Sequence, residues 1–480
     1  MTRGAAPIAA IAIAAALAGC RTAGPNFKPP AAPTGAGYLM PGDAASPVAV
    51  LTADARPAGA WWTAFGSPEL DATMTAALAG NHTLAAANAT LERARQQAAA
   101  VHGEQLPQVD FNAYAERERI NIAAFGFSGF PNPTLNLYSV GPAVSYDLDL
   151  FGGRRRATES AVAQAEAEAR SADAAYLTLT GQVTLAALHI ATVREEIATL
   201  DQVIADDQRL IAMVERAQAA GGEAAAAISS PKAQLAQDEA LRPPLEQELA
   251  QTRHQLALLV GQAPADWTAP DFDLAGFHAP AKVPVSLPSA LVRRRPDILA
   301  AEADLHAATA KIGVASAAMY PDVRLTANLI QTAIPPANLF SYGASGWALA
   351  AGLSQPLFHG GALRADKKAA VADAQASLAR YQQTVLAAFV QIGDVMEAIA
   401  HDGEELAALG RAEDNAQANL NDAENAYRLG GGALLSVIDA QRLLSTARRN
   451  RAMAEGRRLS DLAQLYVASA ADWRTSPPSP

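Results

Sequence analysis

Residues 84–113 read LAAANATLERARQQAAAVHGEQLPQVDFNA, and residues 298–327 read ILAAEADLHAATAKIGVASAAMYPDVRLTA. The two stretches align without a gap at a constant separation of 214, from Leu84 to Ile298 (298 − 84) and from Pro107 to Pro321 (321 − 107). An internal period of this kind governs the fold, because each copy must bury its apolar faces in the same way. Further along, DLFGGRRRA at 149–157 is echoed by PLFHGGALRA at 356–365, and glycine breaks at Gly221 and Gly430 correspond, with small gaps changing the offset. Each half therefore carries one succession: a helix leading to Pro-x-Val, a strand, a Gly/Pro-rich loop, a second strand ending at Leu-Phe, and long helices.

The helical stretches are unusual in length. No proline occurs from Arg154 to Ala220, and none from Ala362 to Leu429. At 1.5 Å per residue either stretch would extend roughly 100 Å if continuous, far beyond an ordinary globular helix. A paired glycine then lets the chain turn, and helical sequence resumes towards Val260 and Ala470. Pro243-Pro244 predicts a kink or break in the first returning helix.

The strands alternate. In VSYDLDL, Val144, Tyr146, Leu148 and Leu150 oppose Ser145, Asp147 and Asp149; in VRLTANL, Val323, Leu325, Ala327 and Leu329 oppose Arg324, Thr326 and Asn328. Val109, Phe111 and Ala113 against Asp110 and Asn112 make a third strand, and Trp347, Leu349, Ala351 and Leu353 against small residues a fourth. A soluble half-buried sheet would alternate in the same way. The leader described below favours a lipid-facing outside and a wet inside. Four strands cannot close a transmembrane barrel, for which about eight is the bacterial minimum, so several chains must contribute. Phe125, Phe127, Phe130 and Tyr138, then Phe340 and Tyr342, are assigned to the inter-strand loops, where a girdle or extracellular tip could use them.

Composition narrows the class. Half the residues are hydrophobic, 18% are charged, and the net charge is −11 with a pI of about 5.3. That excludes wholesale disorder and leaves no basic footprint for nucleic acid. No later segment is an uninterrupted apolar run of about 18 residues, so a membrane crossing would be made by strands. Abundant alanine suits long helices packed closely.

The lone cysteine, Cys20, ends a short leader in which Arg3 precedes an apolar stretch from Ala5 to Ala16. This is the pattern of a secretory signal peptide, too short for a permanent span. Leu17-Ala18-Gly19-Cys20 resembles the lipobox of bacterial lipoproteins. The resemblance implies cleavage before Cys20, lipid on its thiol, and several acyl chains as anchor. Arg21 follows it, where an aspartate would favour inner-membrane retention. No cysteine then remains for a disulfide or metal site.

Other chemistry is sparse. The eight histidines are scattered, with no His-Glu-x-x-His and no Cys-rich metal pattern. Gly221-Gly222 lacks the Lys-Ser/Thr of a phosphate loop and reads as a helix turn. Arg154-Arg155-Arg156 and Arg293-Arg294-Arg295 read as solvated or interfacial charges. With no catalytic constellation, neither an enzyme nor any cofactor beyond the covalent lipid is expected.

GPNFKPP (24–30), WWTAFGSPEL (61–70), LVRRRPDILAAEADLHAATAKIGVASAAMYPDVRLT (291–326), QPLFHGG (355–361) and YRLGGGALLSVIDAQR (427–442) together resemble the lipoprotein, nodulation-type branch of the TolC-like outer-membrane efflux channels. That resemblance implies a mixed α and transmembrane β fold: a homotrimer with four strands per chain, a twelve-stranded barrel continued by a long α-helical periplasmic tunnel. It implies as partners a periplasmic adaptor (membrane fusion) protein and an inner-membrane pump of the resistance-nodulation-division type. It places a periplasmic constriction at Asp439, with Ser436 at the position of a second carboxylate, and assigns Tyr427 to a latch. Ala226-Ala227-Ile228 stands where relatives tend to carry Leu-Asp-Val, which removes the acidic partner for that latch. Adaptor contact is implied at the turns Gly221-Gly222 and Gly430-Gly431-Gly432.

The sequence divides into a signal peptide (1–19), a lipidated extended segment (20–68), a first repeat (69–261), a linker (262–287), a second repeat (288–470) and a tail (471–480). Small-molecule export from periplasm to exterior is the favoured function. A lipid-anchored coiled-coil scaffold without a pore, a channel for polypeptide secretion and, last, a periplasmic hydrolase are the alternatives. Amphipathic strands weigh against the scaffold, and the lack of a nucleophile with a base weighs against the hydrolase.

Overall fold

A computed structural model of the chain describes residues 22–33, 35, 37–44, 49–52, 60–121, 124, 126, 129, 131–220 and 225–469. In chain order the first half holds β1 (Ala49–Thr52), a 3₁₀ turn (Trp61–Phe65), α1 (Pro68–Gly80), α2 (His82–Gly103), β2 (Gln108–Arg119), β3 (Thr134–Asp147) and α3 (Gly153–Ala219). There follow α4 (Ser229–Glu239), α5 (Arg242–Val260), β4 (Val283–Ser286) and α6 (Pro288–Leu291). The second half holds α7 (Pro296–Ala317), β5 (Asp322–Ala333), β6 (Ser345–Ser354), α8 (Ala362–Arg428) and α9 (Leu434–Ala468).

These residues form two compact units, each drawn from both halves of the sequence: Met1–Pro30, Thr90–Ala169 and Ala300–Tyr381 in one, Ala31–Ala89, Arg170–Leu299 and Gln382–Pro480 in the other. The first unit contains a four-stranded antiparallel sheet in the order β2-β3-β5-β6. The second is mainly helical. Its core includes Leu188, Ile190, Leu200, Leu256, Ile392 and Ile399, all fully buried. Trp61 stacks on Tyr466 with ring centroids 5.5 Å apart and donates from Nε1 to Thr180 Oγ1 at 3.3 Å.

Local chemistry sets the element ends. Ser67 caps α1 by accepting from the Leu70 N–H at 3.3 Å, Pro68 opens the helix, and Glu69 and Asp71 sit in its first turn. Pro243 and Pro244 occupy the start of α5 rather than a helix interior. The expected break therefore falls at Ala240–Leu241, where missing proline N–H groups cost nothing.

Two expectations are corrected. β3 stops at Asp147, short of Leu148, Leu150 and Phe151, because Asp149 adopts a positive φ of 44° and turns its carboxylate onto the Arg154 and Arg155 N–H groups at 2.9 and 3.0 Å. Those bonds satisfy orphan donors of α3, so the turn serves the helix. Tyr138 lies inside β3, opposite Ala115 and Ala333, because the strand begins at Thr134, directly after Pro133. Phe340 and Tyr342 are exposed in the β5–β6 connection, whereas Phe125, Phe127 and Phe130 lie outside the described residues. α3 and α8 each contain an 18-residue window of mean hydropathy 1.2, 61% buried within protein in α3 and 33% in α8, and polar residues interrupt both helices.

A small parallel sheet had no signal in the alternation. Residues of β1 pair with β4, Ala49 with Val283 through Thr52 with Ser286. Strands this short cannot display a period.

Candidate functional site

The sheet sorts its side chains by register. Val109 faces Val144, Val144 faces Ala327, and Ala327 faces Leu349, giving one apolar row across all four strands. Phe111 opposite Pro142, Tyr146 opposite Leu325, and Leu329 opposite Trp347 lie on the same face. The other face carries Asp110, Asn112, Ser145, Asp147, Arg324, Thr326 and Asn328, as a period of two requires. Asp147 there joins Arg324, at 2.7 Å, and Arg154. On the apolar face Trp347 is 75% and Phe111 71% exposed. Such a face without protein cover matches what a bilayer would cover. Both edge strands, β2 and β6, lack a partner on their outer side within the described residues.

The second chemical feature is the turn between α8 and α9. Gly430 has φ 76°, a left-handed conformation that favours glycine. The Gly431 and Gly432 N–H groups both donate to Ala426 O, at 2.9 and 3.1 Å, closing the end of α8. A methyl group on Gly432 would come within 3.0 Å of Ala426 Cβ and Tyr427 N. Beyond the turn, Val437, Ile438, Ala440 and Leu444 enter an apolar cluster with Leu210, Val214 and Leu420. Half-buried Tyr427 packs against it, as do Ala227 and Ile228. Thus the residues that replace an acidic position contribute packing. Ser436 and Asp439, three apart on one helix face, are exposed. Asp206, Arg209, Glu424, Arg428 and Arg448 line a groove of about 1060 Å³ beside this cluster. Cys20 and the Gly221-Gly222 turn lie outside the described residues.

The outer membrane efflux protein family model matches residues 73–262 and 287–471, most of the chain in two segments. The chain belongs to that family. "Pyoverdine export outer membrane protein OpmQ" of Pseudomonas putida is 30% identical over 447 residues, covering 92% of this chain and 94% of the relative. "Probable outer membrane lipoprotein SilC" of Salmonella typhimurium is 26% identical over 458 residues, covering 95% and 96%. Among solved structures, the outer-membrane channel OprN superposes with a TM-score of 0.85 at 28% identity, over 94% of this chain and 100% of that one.

In this efflux-family chain the arginine runs, read as solvated or interfacial charges, divide: Arg155 and Arg293 are exposed, whereas Arg156 and Arg295 are tied to neighbouring segments. Arg156 is 4% exposed. Its guanidinium donates to Ala23 O at 3.2 Å, Thr22 Oγ1 at 3.3 Å, Asn26 Oδ1 at 2.6 Å and Glu159 Oε2 at 2.6 Å. Arg295 likewise binds Asp297, Ala468 O and Gln391. A fork of five donors can tie several acceptors at once, so a short basic run can mark a junction. Phe27 stacks on His306 at 4.4 Å, and His306 Nε2 lies 3.0 Å from Glu159 Oε1. The segment just after the cysteine is thereby fastened to α3 and α7.

Two carboxyl pairs also escaped notice. Asp207 on α3 meets Asp238 on α4, and burial followed by that neighbour pushes Asp207 up to about 7. Asp402 on α8 meets Asp461 on α9, where burial and then the Asp402 charge push Asp461 up to about 6. Nothing in the local sequence signals either pair, because each joins two different helices; only helix packing brings its members together.

Proposed function

We propose that this efflux-family chain is one subunit of a passive outer-membrane conduit that carries small molecules from periplasm to exterior. The observation that carries the reading is the sheet: an uncovered apolar face in register across four strands, with two open edges. An open apolar edge invites another strand, and three such sheets supply the twelve strands of a closed barrel. The long helices α3 and α8 would continue the conduit into the periplasm. A scaffold without a pore has no use for such a sheet.

In this reading Cys20 carries the lipid, a periplasmic adaptor docks on the glycine turns and the groove beside them, and a resistance-nodulation-division type pump drives the flux. Asp439, exposed on the first turns of α9, would meet its symmetry mates at the narrow end. Carboxylates brought so close repel, and proton uptake, a bound cation or dilation relieves them. Rings of this kind favour cations. Native mass measurement in detergent, followed by planar-bilayer recording, tests both levels. Three chains per particle and a cation-preferring conductance that weakens in Asp439→Asn are expected. A monomer, or a trimer that does not conduct, would overturn the conduit; unchanged selectivity in Asp439→Asn would move the constriction elsewhere.

A further inference from the structure

The register sorts charge as strictly as it sorts apolar side chains. On the apolar face of the sheet β2 contributes Val109, Phe111, Ala113 and Ala115, and then Arg117 and Arg119. These two arginines are the only charged residues on that face among the described residues of the four strands. The other charges of the strands, Asp110, Glu116, Glu118, Asp147, Asp322 and Arg324, all lie on the opposite face. Arg117 opposes Asn136 and Arg119 opposes Thr134, so no carboxylate stands across from either. Both arginines are exposed, and neither joins an ion pair among the described residues.

Their depth follows from the strand. Tyr146 and Tyr138 stand on the apolar face of β3 with only Val144, Pro142 and Val140 between them on that face. Eight steps separate the two rings (146 − 138), about 27 Å along a strand and about 20 Å along the membrane normal at a tilt of about 35–45°. Aromatic rings at both ends of an apolar band mark the two interfaces of a membrane barrel. Ala115 opposes Tyr138, so Arg117 and Arg119 follow two and four residues past that marker. They stand about 5 and 10 Å further along the normal, at the level of lipid headgroups and not of acyl chains. This end of the sheet is also the one away from the long helices. α3 begins at Gly153, after β3 ends at Asp147, and α8 begins at Ala362, after β6 ends at Ser354. With those helices in the periplasm, the two arginines face the outer leaflet.

We propose that Arg117 and Arg119 form a binding site for the phosphate groups of a phosphorylated glycolipid in the outer leaflet. The proposal rests on the reading of the chain as a barrel subunit with its helices in the periplasm, and it adds a lipid contact to that reading. A guanidinium presents a planar fork of donors that matches phosphate oxygens, and such charge-assisted bonds are among the strong ones. Residues two apart on a strand lie about 7 Å apart on one face, so both side chains can reach a single headgroup. Charge that only keeps an edge strand from aggregating needs no sorting by face, since Glu116 and Glu118 would serve that purpose as well as the arginines. Here the bases point to the lipid side and the acids to the wet side. An anionic headgroup therefore meets two cations and no carboxylate. The outer leaflet of an outer membrane carries its phosphate on a glycolipid, which is the partner this charge pattern fits.

Native mass measurement on the full chain in a mild non-ionic detergent reads the lipid it retains. Three probes are added in turn: diphosphorylated lipid A, the same lipid without its phosphates, and phosphatidylglycerol. The parent should retain diphosphorylated lipid A several-fold more than either of the others. Arg117→Gln/Arg119→Gln should lower that retention on the order of tenfold, whereas Glu116→Gln/Glu118→Gln, on the other face of the same strand, should not lower it. Equal retention by the parent and the arginine variant sinks the site. So does equal retention of the two forms of lipid A by the parent, a comparison that needs no variant to assemble. A glutamate variant that loses lipid as fully as the arginine variant overturns the sorting by face, and preference for phosphatidylglycerol overturns the glycolipid as partner. By contrast, parent protein that stays in the aqueous phase when mixed with phosphatidylcholine vesicles overturns the barrel reading itself.

Discussion

α3 and α8 have the same length, 67 residues, and each follows a β-hairpin, yet they begin in opposite surroundings. From Gly153 to Ala169 the only exposed residues of α3 are Arg155, Val162, Gln164 and Glu166, whereas most of α8 from Ala362 to Leu378 is exposed. Helix propensity and alanine content hardly differ between them, so what differs is the neighbour. α3 receives α7 and the segment from Thr22 to Phe27, whereas no described residue serves the corresponding face of α8. Ala365 stands where α3 has Arg156, each three residues past its helix start (365 − 362; 156 − 153), so the second half also lacks the fork that ties that segment down. Burial here is a property of which element arrives.

The comparison breaks most visibly in the sheet. Leu325 lies on the apolar face of the four-stranded sheet, opposite Tyr146 and Ala351. Leu325→Arg should cost about 2 to 4 kcal/mol at membrane depth and abolish recovery of heat-stable oligomer from outer-membrane fractions. Thr326→Arg, one residue along and on the other face, should be recovered normally. Equal recovery of both would mean that the apolar face is not the lipid face.

A second change tests the fastening of α3. Arg156→Ala removes a buried guanidinium from half-buried Glu159 and strands the acceptors at Ala23, Thr22 and Asn26. A loss of about 2 to 3 kcal/mol is expected from the unpaired acceptors, with earlier proteolytic release of the N-terminal segment. Arg155→Ala, at an exposed pair, should cost under about 1 kcal/mol. Similar losses for the two would show that the segment is not held through Arg156.

The turn after α8 gives a smaller effect. Gly430→Val forces a β-branched residue into the left-handed region, at about 1 to 2 kcal/mol, while a methyl there meets nothing within 4 Å. Melting temperature should fall by a few degrees with assembly intact, and export should fail if the adaptor docks there. Wild-type export would remove Gly430 from the docking surface.

Much of this was legible beforehand because the repeat and the long proline-free stretches are properties of the sequence itself. α3 and α8 begin and end within one residue of where proline and glycine place them. Alternation exposed the strands but not their ends, since Asp149 ended β3 through a capping turn that no period records. The role of Arg156 was hidden because its partners are main-chain and side-chain acceptors near the start of the chain, at Thr22, Ala23 and Asn26. At the tip, the resemblance pointed to Ser436 and Asp439, while the apolar cluster that α9 forms with Ala227 and Ile228 depended on how the helices pack.

The carboxyl pairs sharpen the comparison most finely, because each helical hairpin has one and they titrate in different ranges. Asp207 faces Asp238, to which Gln234 donates at 2.7 Å, with Arg442 and Arg449 lining the cavity alongside Asp238. Asp461 faces Asp402, with Arg457, itself paired to Glu405 at 3.0 Å, pulling the other way. Both groups are raised above the ordinary 3.8, so the stability they contribute is complete below about pH 4. It is lost as pH rises, by about pH 6 at Asp461 and by about pH 7 at Asp207. Above that range each hairpin holds two charges that repel. Asp207→Asn should therefore stabilise the fold at pH 8 by on the order of 1 kcal/mol after discounting for solvent near the pair, seen as a higher melting temperature, and lose that advantage at pH 5. Asp461→Asn should show the same pattern with its change centred about one pH unit lower. Difference melts of each variant against the parent, taken at half-unit steps from pH 5 to pH 8, read both; a shift independent of pH would mean that neither pair shares a proton in the folded chain.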